Sequence, residues 1–232
     1  MPYNSFKSGY YSADEINRSM IHCFLWMTIG LLVTGAVSAF LYSSGFFYSM
    51  MRMPMIPLIL VIVQFGIVIA MSAGIYRYTE STLKILFMVY AATLGVSLTS
   101  IFYVYSLGTI FVAFGVSAFY FLCLALVGLT TKRDLTKLGT LCMVALLALV
   151  VSSVFMLLFR VPTNTILYSV LGLLIFTGIT MWDVQRMPQI LSQGNEMTAG
   201  KLSIFLAFDL YLDFINIFLY ILRLVGNNSS RQ

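Results

Sequence analysis

The chain has 232 residues, of which 60% are hydrophobic and only 9% charged, with a mean hydropathy of +0.97. A soluble domain carries about 25% charged residues, so this composition cannot cover a water-facing surface, and lipid must be the solvent for most of the chain. The net charge of +5 does not point to nucleic acid, because the basic residues are scattered through short connections instead of being gathered on one face.

The first stretch, 1–18, is polar (Tyr3, Asn4, Ser5, Lys7, Asp14, Glu15) and holds no apolar core of the signal-peptide kind, so the first span is expected to direct its own insertion. Seven apolar runs then follow, at 19–41, 55–75, 82–105, 108–129, 138–159, 164–187 and 203–225. Each is near the ~20 residues that cross ~30 Å of hydrocarbon, and together they predict an all-α, seven-span domain over 19–226. Buried helices of a soluble protein would show a polar face, and the alternation of a β-barrel is absent. A short polar tail, 227–232, closes the chain.

Several single residues stand out along these runs. His22, at the start of the first, is an interfacial residue by position, and Gln64 in the second suits a helix–helix hydrogen bond or a pore lining. Arg77 ends the second run and suits a topology determinant or a latch on a neighbouring carboxylate. Cys23, Cys123 and Cys142 sit inside apolar runs without metal-ligand spacing, as small buried hydrophobes do. Trp26 and Trp182 fit interfacial anchoring. The connections 105–108 and 160–163, the latter with Pro162, are tight. The polar connection 188–202, with Gly194 and Gly200, is the expected mobile one. Lys7, Arg18, Arg77, Lys84, Lys132, Arg133, Lys137, Arg186 and Lys201 fall on one side of the membrane, against Arg52, Arg160, Arg223 and Arg231 on the other. The excess predicts a cytoplasmic N-terminus and, with seven spans, an outside C-terminus.

Three of the eight acidic residues, Asp183, Asp209 and Asp213, lie inside spans. An ionised carboxylate at the bilayer centre costs roughly 2.5–3.5 kcal/mol on insertion scales, so such residues are functional candidates. Asp209, Asp213, Asn216, Tyr220 and Arg223 follow at helical spacing and form one polar stripe on the last span, which must face protein or water. Two readings compete for the stripe: helix-to-helix hydrogen bonding and a pathway. Asp183 likewise has a plain reading, an ion pair with Arg186. Two carboxylates that meet where water is scarce titrate together, because repulsion and desolvation both oppose the doubly ionised form. Sharing one proton, such a pair is the minimal machinery of a pH-gated cation pathway. Calcium wants six to eight oxygens, which Asp183, Asp209 and Asp213 with Asn216, carbonyls and water could supply.

Three segments, 128–139 (GLTTKRDLTKLG), 176–187 (FTGITMWDVQRM) and 207–223 (AFDLYLDFINIFLYILR), together with 63–102, resemble the transmembrane Bax inhibitor motif family. The resemblance implies seven helices with the last one central, flanked by helices one, two and six on one side and three, four and five on the other. Bacterial members are similar in being pH-sensitive calcium leak channels. Their sensor is an aspartate pair between helices six and seven, matching Asp183 (in WDVQ) and Asp213 (in YLDFIN). Their arginine latch falls closest to Arg77, and Asp209 matches an acid of the eukaryotic members. Some members have a glutamate where this chain has Gln64. The absence of a basic tail favours a bacterial plasma membrane over the endoplasmic reticulum.

These readings make calcium ions and protons the expected partners, with the lipid bilayer, and no resident cofactor. The alternative is a non-conducting scaffold whose contact surfaces would be 188–202 and the N-terminal tail. An enzyme is not expected. An intramembrane aspartyl protease needs GxGD where this chain has LYLD. A rhomboid-type protease needs a histidine deep in a span, and a retinal protein needs a lysine in the last span, which 203–225 lacks.

Overall fold

The computed structural model describes residues 12–52, 55–159, 165–192 and 199–229. Among the described residues the regular structure is all helix: α1 (Ala13–Ser44), α2 (Phe46–Met51), α3 (Met55–Gly74), α4 (Glu80–Leu98), α5 (Ile101–Val104), α6 (Leu107–Thr130), α7 (Thr136–Phe159), α8 (Thr165–Ser192) and α9 (Ala199–Ser229). Seven stretches are long and apolar enough to cross a membrane, with α4 and α5 joined into one of them. They coincide with the seven apolar runs of the sequence. The connection expected at 160–163 and the residues before Ser12 lie outside the described residues.

Local chemistry sets the helix starts. Ser12 and Glu15 form a capping box: the Glu15 N–H donates to Ser12 Oγ at 3.3 Å, and the Ser12 N–H donates to the Glu15 carboxylate at 2.7 Å. This box begins α1 at Ala13, inside the stretch expected to be an N-terminal tail. Thr79 and Ser106 cap α4 and α6 with their hydroxyls alone, accepting from the N–H groups of Thr82 and Thr109. Gly45, at φ +66°, ends α1 in the left-handed region that favours glycine.

Pro188 does not end α8, contrary to the expected 188–202 connection. Its ring removes one hydrogen bond near the helix end, but Met187 and Leu191 around it are wholly or almost wholly buried, and that burial holds the last turn. At the other end, Gly200 and Leu202 already belong to α9. Gly200 is packed against the Glu80 carboxylate, so its role is close approach and not loop freedom. Gly194 lies outside the described residues.

The chain forms two compact units. Unit 1 comprises Met1–Val104 and Met187–Tyr211, hence the first three spans with the first part of α9. Its seam between α1 and α4 is built from small residues. Ser38 Oγ donates to the Gly95 carbonyl at 2.7 Å, and a Cβ on Gly95 would sit 2.7 Å from the Thr34 carbonyl oxygen. Small residues let backbones approach closely where lipid supplies no hydrophobic drive. Tyr211, fully buried, stacks edge-on against Phe87 and Tyr90 and shares a 2.6 Å hydrogen bond with Thr34 Oγ1. Tyr211→Phe keeps the rings and loses that bond. Its expected cost is about 0.6–1.7 kcal/mol, the range for one such bond between membrane helices, read as a small drop in the Tm of the detergent-solubilised protein.

Unit 2 comprises Tyr105–Arg186 and Leu212–Gln232, hence the fourth and fifth spans, most of α8 and the remainder of α9. Within these units the third span packs with the first two, and most of the sixth lies with the fourth and fifth. The reason is steric. Gly95 admits α1 onto α4, whereas Gly128 on α6 admits α8, its added Cβ meeting the Met181 carbonyl at 2.7 Å. In unit 2 the aromatic rings of Phe114 and Phe121 meet Phe214 edge-on.

α9 is the most enclosed span. In its most apolar window 72% of residues are buried, against 11–33% for the other six. Phe214, Phe218 and Leu222 are buried alongside Asp213 and Tyr220, so the helix is enclosed on its apolar face as well as along its polar stripe.

Candidate functional site

The site grows from the last two turns of α8 before Met187. Asp183 is 6% exposed, and Arg186 Nη2 approaches its Oδ1 at 2.9 Å. Residues three apart on a helix share a face, so the pairing is local and demands no other element. The direction of the contact is that of an ion pair and not of an aligned hydrogen bond, because Oδ1 has no hydrogen-bond donor among the described residues. The Arg186 guanidinium lies 4.3 Å above the Trp182 ring, which in turn covers Gly139 at the start of α7. The plain reading of Asp183 as the partner of Arg186 is thus present in the structure.

Gln185 ties this helix to the connection between α6 and α7. Its Oε1 accepts from the Leu135 N–H at 2.9 Å, and its Nε2 donates to the Arg133 carbonyl at 2.7 Å. Lys132, Arg133 and Lys137 are exposed there. The hydroxyl and backbone N–H of Thr136 hold the Asp134 carboxyl below the usual aspartate range.

Asp213 is 4% exposed and belongs, like Asp183, to unit 2. The register of α8 against α9 follows from Tyr220, which packs on Gly172 and lies 6.0 Å, centroid to centroid, from Phe176. In an antiparallel pair, Asp183 and Asp213 are each two turns from that contact, one counted forward from Phe176 and the other back from Tyr220. Seven residues rise about 10.5 Å and return to nearly the same face. The register accordingly gives the two acids matching depth.

The remaining candidates separate. Asp209 is half-buried on the unit 1 portion of α9, one turn before Asp213. Asn216 donates to the Leu212 carbonyl of its own helix at 2.8 Å. Gln64 donates to Ser97 Oγ at 2.9 Å, a helix–helix bond within unit 1. Arg77 is exposed in the turn after α3 and forms no ion pair among the described residues, whereas Arg186 is the cation on Asp183. Among the described residues no group of three or more His, Cys, Asp or Glu side chains could hold a metal ion. Asp209 and Asp213 are a full turn, about 6 Å, apart along one helix, and Asp183 faces its arginine.

Thr180 acquires weight only from the structure. It is wholly buried one turn before Asp183, and its Oγ1 has no hydrogen-bond partner among the described residues. No periodicity distinguishes it from the other span threonines.

These features define an integral membrane protein of seven helices with acids buried in its last two spans. The family described as "Inhibitor of apoptosis-promoting Bax1" matches residues 16–230, and the chain belongs to this Bax inhibitor family. It is 37% identical to an uncharacterized protein of Borreliella burgdorferi, over 92% of this chain and 94% of that one. It is 36% identical to the inner membrane protein YbhL of Escherichia coli K12, over 90% and 91% of the two chains. An uncharacterized protein of Rickettsia prowazekii, RP147, is 32% identical over 92% and 91%.

Proposed function

We propose that the protein is a proton-gated cation leak of a bacterial plasma membrane, with calcium as the permeant ion and Asp183 and Asp213 as the gate. The observation that carries this reading is the pair of acids buried on α8 and α9 at matching register. A charge in a span is costly unless it is paired or neutralised. Protonation removes a charge that Arg186 otherwise balances, and so changes the force holding the end of α8. Asp209, one turn along α9, is a further carboxylate for a passing cation. The excess of Lys and Arg puts the N-terminus in the cytoplasm and the C-terminus outside. The protein acts as a conduit and catalyses no reaction.

The test is calcium flux into liposomes containing purified protein, at neutral and at acid pH. Asp183→Asn and Asp213→Asn each replace a titrating group by a fixed neutral one. Each is expected to bring the ratio of the two fluxes toward unity. A ratio unchanged in both variants removes the gate, and no flux from the wild-type protein at either pH favours the non-conducting scaffold.

A further inference from the structure

Two buried oxygens on one face of α8, Thr180 Oγ1 and Asp183 Oδ1, have no hydrogen-bond partner among the described residues. The pattern is unusual within this molecule. Thr34, Ser38, Thr99, Ser117, Ser169, Thr177 and Ser203 each donate their hydroxyl to the carbonyl four residues before. Thr180 departs from this habit although it is 0% exposed. A buried hydroxyl left without a partner costs about 1–3 kcal/mol, and a buried carboxylate oxygen more. Arg186 balances the charge of Asp183 without supplying an aligned hydrogen bond.

We propose that Thr180 Oγ1 and Asp183 Oδ1 hold a buried water molecule between them, which donates to the carboxylate and is fixed by the threonine hydroxyl. Buried waters typically make two to four hydrogen bonds to groups that would otherwise go unsatisfied. A hydroxyl and a carboxylate one turn apart on a helix provide two of them. Among the described residues of unit 2, Arg186 is the charged group in contact with this face, and Asp213 is the buried acid at matching register on α9. The neighbouring sides of α8 meet the uncharged Gly128 of α6 and Gly139 of α7, through Met181 and Trp182, while Lys132, Arg133 and Lys137 are exposed beyond Gln185. The water site deepens the proposed function, and rests on it for its consequence: the water is the partner through which Asp183 exchanges its proton. Thr180 is a positioning residue.

The test uses the full-length protein in detergent and two readouts. In acid-minus-neutral infrared difference spectra, the carboxyl C=O band that Asp183→Asn abolishes belongs to Asp183. Thr180→Val is expected to move this band to higher wavenumber, since one hydrogen bond is lost, and Thr180→Ser to leave it in place. In thermal unfolding, Thr180→Val is expected to lower the Tm, because the water loses its anchor. A Tm raised by valine, as removal of a dry and unsatisfied hydroxyl would produce, overturns the water site, and so does an unmoved band. If Asp183→Asn abolishes no band, Asp183 does not titrate and the gate fails. The direction of the Tm change then still decides the water site.

Discussion

Gly128→Leu is expected to force α8 off α6 and to leave little folded protein. A Cβ at this position would lie 2.7 Å from the Met181 carbonyl oxygen and 3.1 Å from Val184 Cβ. The first of these is backbone and cannot swing aside, so the helix itself must move. Overpacking costs typically 1–3 kcal/mol and more when backbone must shift. Met181 and Val184 flank Asp183, so the displacement falls on the candidate gate. Gly115→Leu on the same helix is the control, because nothing lies within 4 Å of an added Cβ there. Yield and Tm in detergent should collapse for position 128 and stay near wild type for position 115. Equal behaviour of the two would show that the α6–α8 seam is not held by this approach.

Arg186→Gln is expected to cost on the order of 2 kcal/mol at neutral pH. Removing one partner of a fully buried pair costs about 3–5 kcal/mol, and the figure is reduced because the Arg186 side chain is 30% exposed while that of Asp183 is 9%. The loss should shrink when Asp183→Asn is added, since a neutral amide needs no counter-charge. It should also shrink on acidification, because a protonated Asp183 no longer needs its cation. Additive costs in the double-mutant cycle, with no pH dependence, would mean that the pair contributes nothing.

The spans were legible because a run of about 20 apolar residues has one stable form in lipid. The start of α1 was legible in principle too, since Ser12 and Glu15 stand at capping-box spacing. Pro188 misled because proline reads as a breaker, while the burial of Leu191 depends on tertiary packing that no local pattern carries. The same distinction runs through the site. Asp183 and Arg186 are neighbours by helix geometry alone, and so could be paired on paper. Gln185 reaches carbonyls and N–H groups about fifty positions away in sequence, and Tyr211 meets Thr34 across a still longer separation. Neither partner is marked by spacing. Gln64 could be assigned to a helix–helix bond as a type, but Ser97 as its acceptor could not.

The enclosure of α9 bears on how the molecule is made. Among the candidate spans, α9 has the fewest outward-facing residues and also carries two acids. Phe87 and Tyr90 in unit 1, and Phe114 and Phe121 in unit 2, lie against rings of α9 and lack that cover until it is in place. A chain cut short before Ala199 would leave those rings facing lipid with nothing to bind them.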